Sequence, residues 1–317
     1  MPSHRPDIRF DFKNTPVEFD EKNRLVTFVS EPDPERYEYQ EKDGKKGYYD
    51  KFDKIFIPKA LFEQIHLNLK GKQIFYSPSK IDNANKYLND RIEATFNFFE
   101  EGVNNFNFDN TDSSKDFLVD LDNVKMNFVI LSIDLKGSTK MSQELPIELN
   151  AKIISFFLSE MTLLIDKFNG HILKYTGDGL LAYFPEPNDI GKVDNAINCA
   201  YLMRSVVDHV INPLLAEHDY PLLYFRIGLD YGKAIVKKIG STGIKSFGDI
   251  FGDTVNIAVK IQELAEDNQI LVGASVAHMA HTYWRKRLTK FKLPKNWKFK
   301  DKVRKRPYLV YYLKDDF

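Results

Sequence analysis

Cysteine is almost missing from this chain. Cys199 stands alone among 317 residues, which excludes an intrachain disulfide and a cysteine-built zinc cluster and fits a reducing compartment. Net charge is missing too: Lys plus Arg and Asp plus Glu number 45 each, so no overall bias draws the chain to nucleic acid or an anionic membrane. No stretch reaches the ~18 uninterrupted apolar residues of a membrane helix, and the opening MPSHRPDIRFDFKN lacks the apolar segment of an export signal. The expectation is a cytoplasmic protein without a membrane span. Internal repeats and low-complexity tracts are absent as well.

What is present suffices for globular cores, with 43% hydrophobic and 14% aromatic residues and a length that suits about two domains. The polar stretch NNFNFDNTDSSK, Asn104 to Lys115, reads as the junction. It divides a small α+β N-terminal region of unknown role, 1–103, from a linker and entry, 104–125, and a second domain, 126–317, with a basic C-terminal extension. In the first region, Tyr37 to Phe52 alternates around Asp43 and Gly44 like a hairpin. Pro58 to Leu69 reads as a helix stopped by Gly71. A longer helix is predicted from about Ser79 to Glu101, with Ile81, Ala84, Leu88, Ile92, Phe96 and Phe99 as its apolar stripe. That stripe is expected to pack on its own domain, with pairing across a dimer as the alternative.

The second domain reads as a strand (about 126–134), a helix (146–168), a strand pair (171–184), a helix (190–210), strands at 222–231 and 233–239, a loop, a helix (253–267) and a strand (269–272). Hairpins interspersed with helices predict an α+β sandwich on a mostly antiparallel sheet. The strand pair is too tight for a parallel crossover.

Two aspartates stand out. Asp134 ends the apolar run in FVILSIDLKGST, Phe128 to Thr139, and Asp178 sits between Gly177 and Gly179 in ILKYTGDGLLAYF, Ile172 to Phe184. Each alone would read as a turn former or helix cap. Together, carboxylates at strand ends beside glycine-rich turns suit divalent metal and phosphate. Gly137, Ser138 and Thr139, just before a helix, can offer N–H groups and hydroxyls to phosphate oxygens.

With RIGLDYG at Arg226 to Gly232 and GDIFGDTVNIA at Gly248 to Ala258, these segments resemble the class III nucleotidyl cyclases, the adenylyl and guanylyl cyclase catalytic domains. The matching motifs run in family order from about Asn127 to Gly273. The resemblance implies Asp134 and Asp178 as ligands of two Mg²⁺ or Mn²⁺ ions, with the Leu135 carbonyl as a further ligand. It implies Lys174 and Asp249 as base readers, Asn256 as the ribose-orienting residue, and a head-to-tail homodimer with two shared sites. The expected reaction converts a nucleoside triphosphate into a 3′,5′-cyclic nucleotide and pyrophosphate, a second messenger for a separate effector protein. One departure is Lys260, which stands where the family carries a transition-state arginine; lysine keeps the charge and loses the planar fork.

A donor from Lys174 and an acceptor from Asp249 suit a bare ring nitrogen beside an exocyclic amino group. Adenine and cytosine both present that pattern, and guanine and uracil do not. The free-standing layout and Lys260 further resemble the pyrimidine cyclases of bacterial antiphage signalling, which implies CTP to cyclic CMP, with ATP to cyclic AMP as the alternative. A catalytically silent cyclase-like module is the rival of a different class. The stretch Arg285 to Arg306, basic with Phe291, Trp297 and Phe299 interleaved, reads as a solvated face more than a nucleic-acid surface. His171, His209, His218, His278 and His281 show no zinc spacing.

Overall fold

The computed structural model describes residues 9–20, 25–69, 79–100, 117–185, 189–240, 247–301 and 305–314. The junction expected at 104–115 and most of the loop after Gly240 lie outside the described residues.

The N-terminal region begins with a hairpin of β1 (Phe12–Asp20) and β2 (Leu25–Pro32). A three-stranded antiparallel sheet follows, β3 (Tyr37–Lys42), β4 (Lys45–Asp50) and β5 (Ile55–Pro58), with α1 (Lys59–Leu69) packed on it through Phe62. The predicted hairpin at Asp43 and Gly44 is there, and both residues have positive φ.

Helix α2 (Ala84–Glu100) departs from expectation in what it covers. Leu88, Phe98 and Phe99 pack on the main core of the second domain, while Ile92 and Phe96 of the predicted stripe remain about half exposed. The helix is rotated because Arg91 reaches inward to the fully buried Glu160. Thr95, one turn on, is buried with its hydroxyl on the Arg91 carbonyl at 2.6 Å.

The second domain is built on β6 (Lys125–Lys136). After it come α3 (Ser138–Glu144), α4 (Ile147–Lys167), the hairpin β7 (His171–Tyr175) and β8 (Gly179–Phe184), and α5 (Asp189–Val206). A π turn at Val207–Ile211 links α5 to α6 (Asn212–Glu217). Then follow β9 (Tyr224–Ile239), β10 (Phe247–Phe251), α7 (Asp253–Leu264), β11 (Gln269–Gly273), α8 (Ala274–Met279), α9 (Thr282–Arg285), β12 (Leu288–Lys290) and β13 (Val310–Leu313).

The strand order is β12-β13-β11-β9-β6-β8-β7, with β10 on β9, and every pairing is antiparallel except β11 with β9. This is the expected α+β architecture. Strands predicted at 222–231 and 233–239 are one, because β9 pairs with β6 without interruption and Gly232 lies opposite Phe128. Alternate residues divide β6 between two layers. Val129, Leu131, Ile133 and Leu135 face the core shared with α4 and α5, and Phe128 and Ile130 face a second cluster with Leu181, Val236 and Ile250. Both faces are buried, which is why the strand reads as a continuous apolar run.

The basic extension turns its aromatics inward. Phe291, Trp297 and Phe299 pack beside α7 and β13, and Trp297 Nε1 donates to the Tyr308 carbonyl at 2.9 Å. Lys292, Lys295 and Lys298 stay exposed. The rings that would stack on nucleic-acid bases are thus spent on packing.

Buried charge joins the two regions. Arg36, fully buried, donates to Asp50 at 2.9 Å, Asp53 at 3.0 Å and Asp11 at 3.1 Å. Asp11 also accepts from the Thr282 hydroxyl at 2.7 Å, Arg9 reaches Asp194 at 2.8 Å, and Arg285 reaches Asp53 at 2.8 Å. Removing one partner of such a set strands the others without solvent. Arg36→Met should therefore cost about 3–5 kcal/mol in chemical denaturation, far more than Lys59→Met at an exposed surface pair.

Candidate active site

The register of three strands assembles the acidic centre. Asp134, near the end of β6, lies opposite Gly179 of β8 on one side and Arg226 of β9 on the other. Asp178 immediately precedes Gly179, so the turn of the β7–β8 hairpin delivers it to Asp134. Burial pushes the Asp134 carboxyl above the ordinary carboxylate range, and the neighbouring negative charge of Asp178 pushes it further, while Arg226 opposes both. The two carboxylates share one site. Gly179 permits this approach: a Cβ there would meet the Ile133 carbonyl oxygen at 2.4 Å and Asp134 Cα at 3.0 Å. The turn is closed by Thr176 N–H donating to the Gly179 carbonyl at 2.9 Å.

Arg226 is a site residue that sequence reasoning passed over. Its guanidinium donates to Asp134 Oδ2 at 2.6 Å, and its Nε is buried with no protein acceptor among the described residues. The signal available was its place one strand over from Asp134, which only the β6–β9 register reveals.

Leu135 is the first β6 residue beyond the β8 ladder, next to the carboxylates. The expected flexible phosphate loop is shorter than predicted. β6 runs on through Lys136 and α3 starts at Ser138, so Gly137 alone makes the turn. Gly137 and Ser138 line an open groove of about 270 Å³ with Leu135, Lys140 and Tyr224. Thr139 is exposed on the first turn of α3.

Lys174 owes its direction to a bulge. Ile172 pairs with Ala182, whereas Lys174 pairs with Leu181, leaving Leu173 as the extra residue. Leu181 is paired in turn with Ser132, two residues before Asp134, so Lys174 emerges on the same sheet face as Asp134. It is exposed there.

The other predicted residues lie elsewhere. Asp249 in β10 faces Lys237, near the end of β9, whereas Asp134 faces Arg226 near its beginning. The Asp249 carboxylate accepts from Ile250 N–H at 2.8 Å. Asn256 and Lys260 sit one turn apart on the exposed side of α7, whose opposite side buries Thr254, Ala258, Ile261 and Gln262. The Lys260 ammonium is held by Glu263 at 2.6 Å. A single chain thus brings together Asp134, Asp178 and Arg226, and keeps Asp249 at the far end of β9.

The donor set fits a divalent cation. Two converging carboxylates supply hard oxygens with excess negative charge, and among the described residues no larger His, Cys, Asp or Glu group forms a cage. One or two carboxylates completed by phosphate oxygens and water is the usual way proteins hold Mg²⁺.

A profile of the adenylate and guanylate cyclase catalytic domain matches residues 121–314. The chain belongs to this cyclase family. Among curated relatives, a cytidylate cyclase of Staphylococcus aureus is 27% identical over 46% of this chain and 36% of its own length. An adenylate cyclase of Anabaena cylindrica is 31% identical over 46% and 29%, and a uridylate cyclase of Rhodovulum sp. is 29% identical over 45% and 60%. The match spans about a third of the first two relatives. The crystal structure of the adenylyl cyclase CyaB from P. aeruginosa superposes with a TM-score of 0.53 at 21% identity, over 62% of this chain and 98% of that one. The guanylyl cyclase Cya2 gives 0.51 at 23%, over 61% and 93%. These structures share the fold.

Within this cyclase domain, β9 carries a buried acid. Asp230 of β9 is 2% exposed and accepts from the Tyr308 hydroxyl at 2.5 Å, and that hydroxyl accepts from Ser275 N–H at 2.9 Å. Burial pushes the Asp230 carboxyl up to about 7. Its folded pKa lies above that of an unfolded aspartate, so the stability it allows is full at low pH and is lost as pH rises from about 4 to about 7. Asp230→Asn should remove this loss. In urea denaturation at several pH values, the wild type should fall relative to the variant by roughly 1.4 kcal/mol per pH unit across that window. Parallel profiles would show that Asp230 ionises normally.

Proposed function

We propose that this chain is a metal-dependent nucleotidyl cyclase, with CTP as substrate and cyclic CMP and pyrophosphate as products. The observation that carries the proposal is the convergence of Asp134 and Asp178 beside Arg226. Such a centre matches the needs of an in-line attack by the ribose 3′ oxygen on the α-phosphorus. A new P–O bond forms, the bond to the β-phosphate bridge breaks, and the hydroxyl proton leaves to solvent. Two Mg²⁺ or Mn²⁺ ions bound by these carboxylates would help ionise the hydroxyl and neutralise the phosphates.

In this reading, Asp134, Asp178 and the Leu135 carbonyl hold the metals, and Gly137, Ser138 and Thr139 meet the phosphates with Arg226. A second copy supplies Lys174 and Asp249 to the base, Asn256 to the ribose and Lys260 to the developing phosphorane charge. The ammonium of Lys260 would exchange Glu263 for phosphate oxygens. Sharing is supported by the placement of Asp249 at the far end of β9 from Asp134. It is also supported by half-exposed Tyr175 near the hairpin turn and half-exposed Ile239, Phe247 and Phe251 on the β9–β10 arm. Apolar side chains of that size favour burial in a homodimer.

Cytosine is favoured by the donor and acceptor of Lys174 and Asp249 and by relatives named cytidylate cyclases in S. aureus and Escherichia coli. The second reading is ATP, favoured by the same hydrogen-bond pattern and by the Anabaena relative. No helix among the described residues is long and apolar enough to cross a membrane. We place the enzyme in the cytoplasm, as the source of a messenger read by a separate effector in bacterial antiphage defence.

Purified protein incubated with each of the four nucleoside triphosphates and Mn²⁺ should yield cyclic CMP from CTP, identified by mass and nuclease resistance. Cyclic AMP alone would transfer the assignment to ATP, and turnover of UTP would overturn the base-reading roles. Asp178→Ala should reduce the rate at least about 100-fold without dissociating the dimer. No cyclic product from any nucleotide would overturn the enzyme assignment.

A further inference from the structure

The short segment that leads into β6 touches both elements that carry the base-reading pair. Leu118, 2% exposed, presses on Gly248, the residue before Asp249. A methyl group on Gly248 would meet Leu118 Cβ at 2.4 Å and its carbonyl carbon at 2.7 Å. One residue earlier, Phe117 stacks on His171, with ring centroids 4.9 Å apart and planes inclined by 14°. His171 opens β7, the strand of Lys174, and stacks in turn on Tyr183 at 5.1 Å.

The same segment then grips the β9–β10 arm by its edge. Asn123 N–H donates to the Val236 carbonyl at 2.9 Å, Val236 N–H donates to the Val124 carbonyl at 3.0 Å, and Lys238 N–H donates to Asp122 Oδ1 at 2.8 Å. Between them lies Lys237, the ladder partner of Asp249. Two elements distant in sequence are therefore referenced to one stretch of chain. Leu118 belongs to the small cluster on the Asp134 face of the sheet, apart from the main core under α4 and α5.

We propose that residues 117–124 set the separation and orientation of Lys174 and Asp249, and that Phe117 and Leu118 are positioning residues for nucleobase selection. The inference rests on the base-reading roles given to Lys174 and Asp249 above. Selection by two hydrogen bonds depends on their geometry, because such bonds weaken steeply when bent or stretched. Leu118→Ala keeps the Cβ and carbonyl that abut Gly248 but empties the side chain's place in the cluster with Val236 and Ile250, so the arm carrying Asp249 can shift toward that space, whereas Asp134 and Asp178 are fixed by their own ladder.

The test is the full set of kcat and KM values for CTP, ATP, GTP and UTP with Mn²⁺, in the full chain and its Leu118→Ala, Leu118→Met, Phe117→Leu and Asp249→Ala variants. Leu118→Ala should raise KM for the preferred nucleotide and lower its kcat/KM advantage over the next by about fivefold or more, with kcat changed less. Leu118→Met should retain wild-type selectivity. An equal loss for all four nucleotides, or an unchanged ratio, would overturn the inference. Should Leu118→Ala fail to fold in thermal denaturation, Phe117→Leu decides: a ratio shifted in the same direction supports the inference, and no shift overturns it. A shift in Asp249→Ala without one in the Leu118 and Phe117 variants removes this inference alone. No shift in any variant removes the base-reading roles with it.

Discussion

Two like charges are held side by side in this protein by backbone pairing, and the rest of the site takes its position from them. Burial raises the proton affinity of Asp134 and the neighbouring charge of Asp178 adds to it, so their proximity is a cost that the β6–β8 and β6–β9 ladders must offset. The ladders do so because β6 is paired on both sides up to Asp134 and because Gly179 removes the one atom that would keep the hairpin away. Arg226, delivered by the same register, relieves part of the repulsion. In the proposed reading, a divalent cation with bound phosphate would relieve the remainder, which would tie occupancy of the site to substrate.

The same strands bear on the proposal that two copies share the site. β9 begins beside the carboxylates and ends at the arm that holds Asp249, so Asp249 stands at the far end of that strand from the carboxylates, while Lys174 stays on their sheet face. The N-terminal region enters this arrangement at a third place. Its buried arginines, Arg9 and Arg36, lock it to Asp194, Thr282 and Arg285 around α5 and α9 through shared aspartates. Helix α2 adds the Arg91–Glu160 pair on α4. The joint is polar and densely hydrogen-bonded, which favours a fixed relative orientation over a hinged one.

Much of the candidate site was legible because the proposed chemistry needs residue types that are otherwise rare in an apolar strand or a tight turn. An aspartate ending the run Phe128 to Ile133 and a Gly-Asp-Gly tip both contradict their surroundings. The helices and the hairpin followed from period and punctuation, and the antiparallel sheet followed from the short turns. What escaped depended on register. The bulge at Leu173 leaves no mark in composition, yet it decides the face on which Lys174 emerges. Arg226 reads as an ordinary strand residue until β6 lies beside it. Gly232 reads as a break, and β9 passes through it because the neighbouring ladder holds. The rotation of α2 was hidden for a similar reason: a buried Glu160 outweighs an apolar stripe that the helix leaves partly exposed.

The most direct measurement of a shared centre is complementation between two inactive variants. Asp134→Ala removes a metal ligand, and Asp249→Ala with Lys174→Ala removes the base half, so each homodimer should be silent. Mixed dimers formed by co-expression should recover one intact site. The account predicts restored cyclic nucleotide formation in the mixture, at up to about half the wild-type rate per mixed dimer. No recovery from a demonstrated mixed dimer would contradict it.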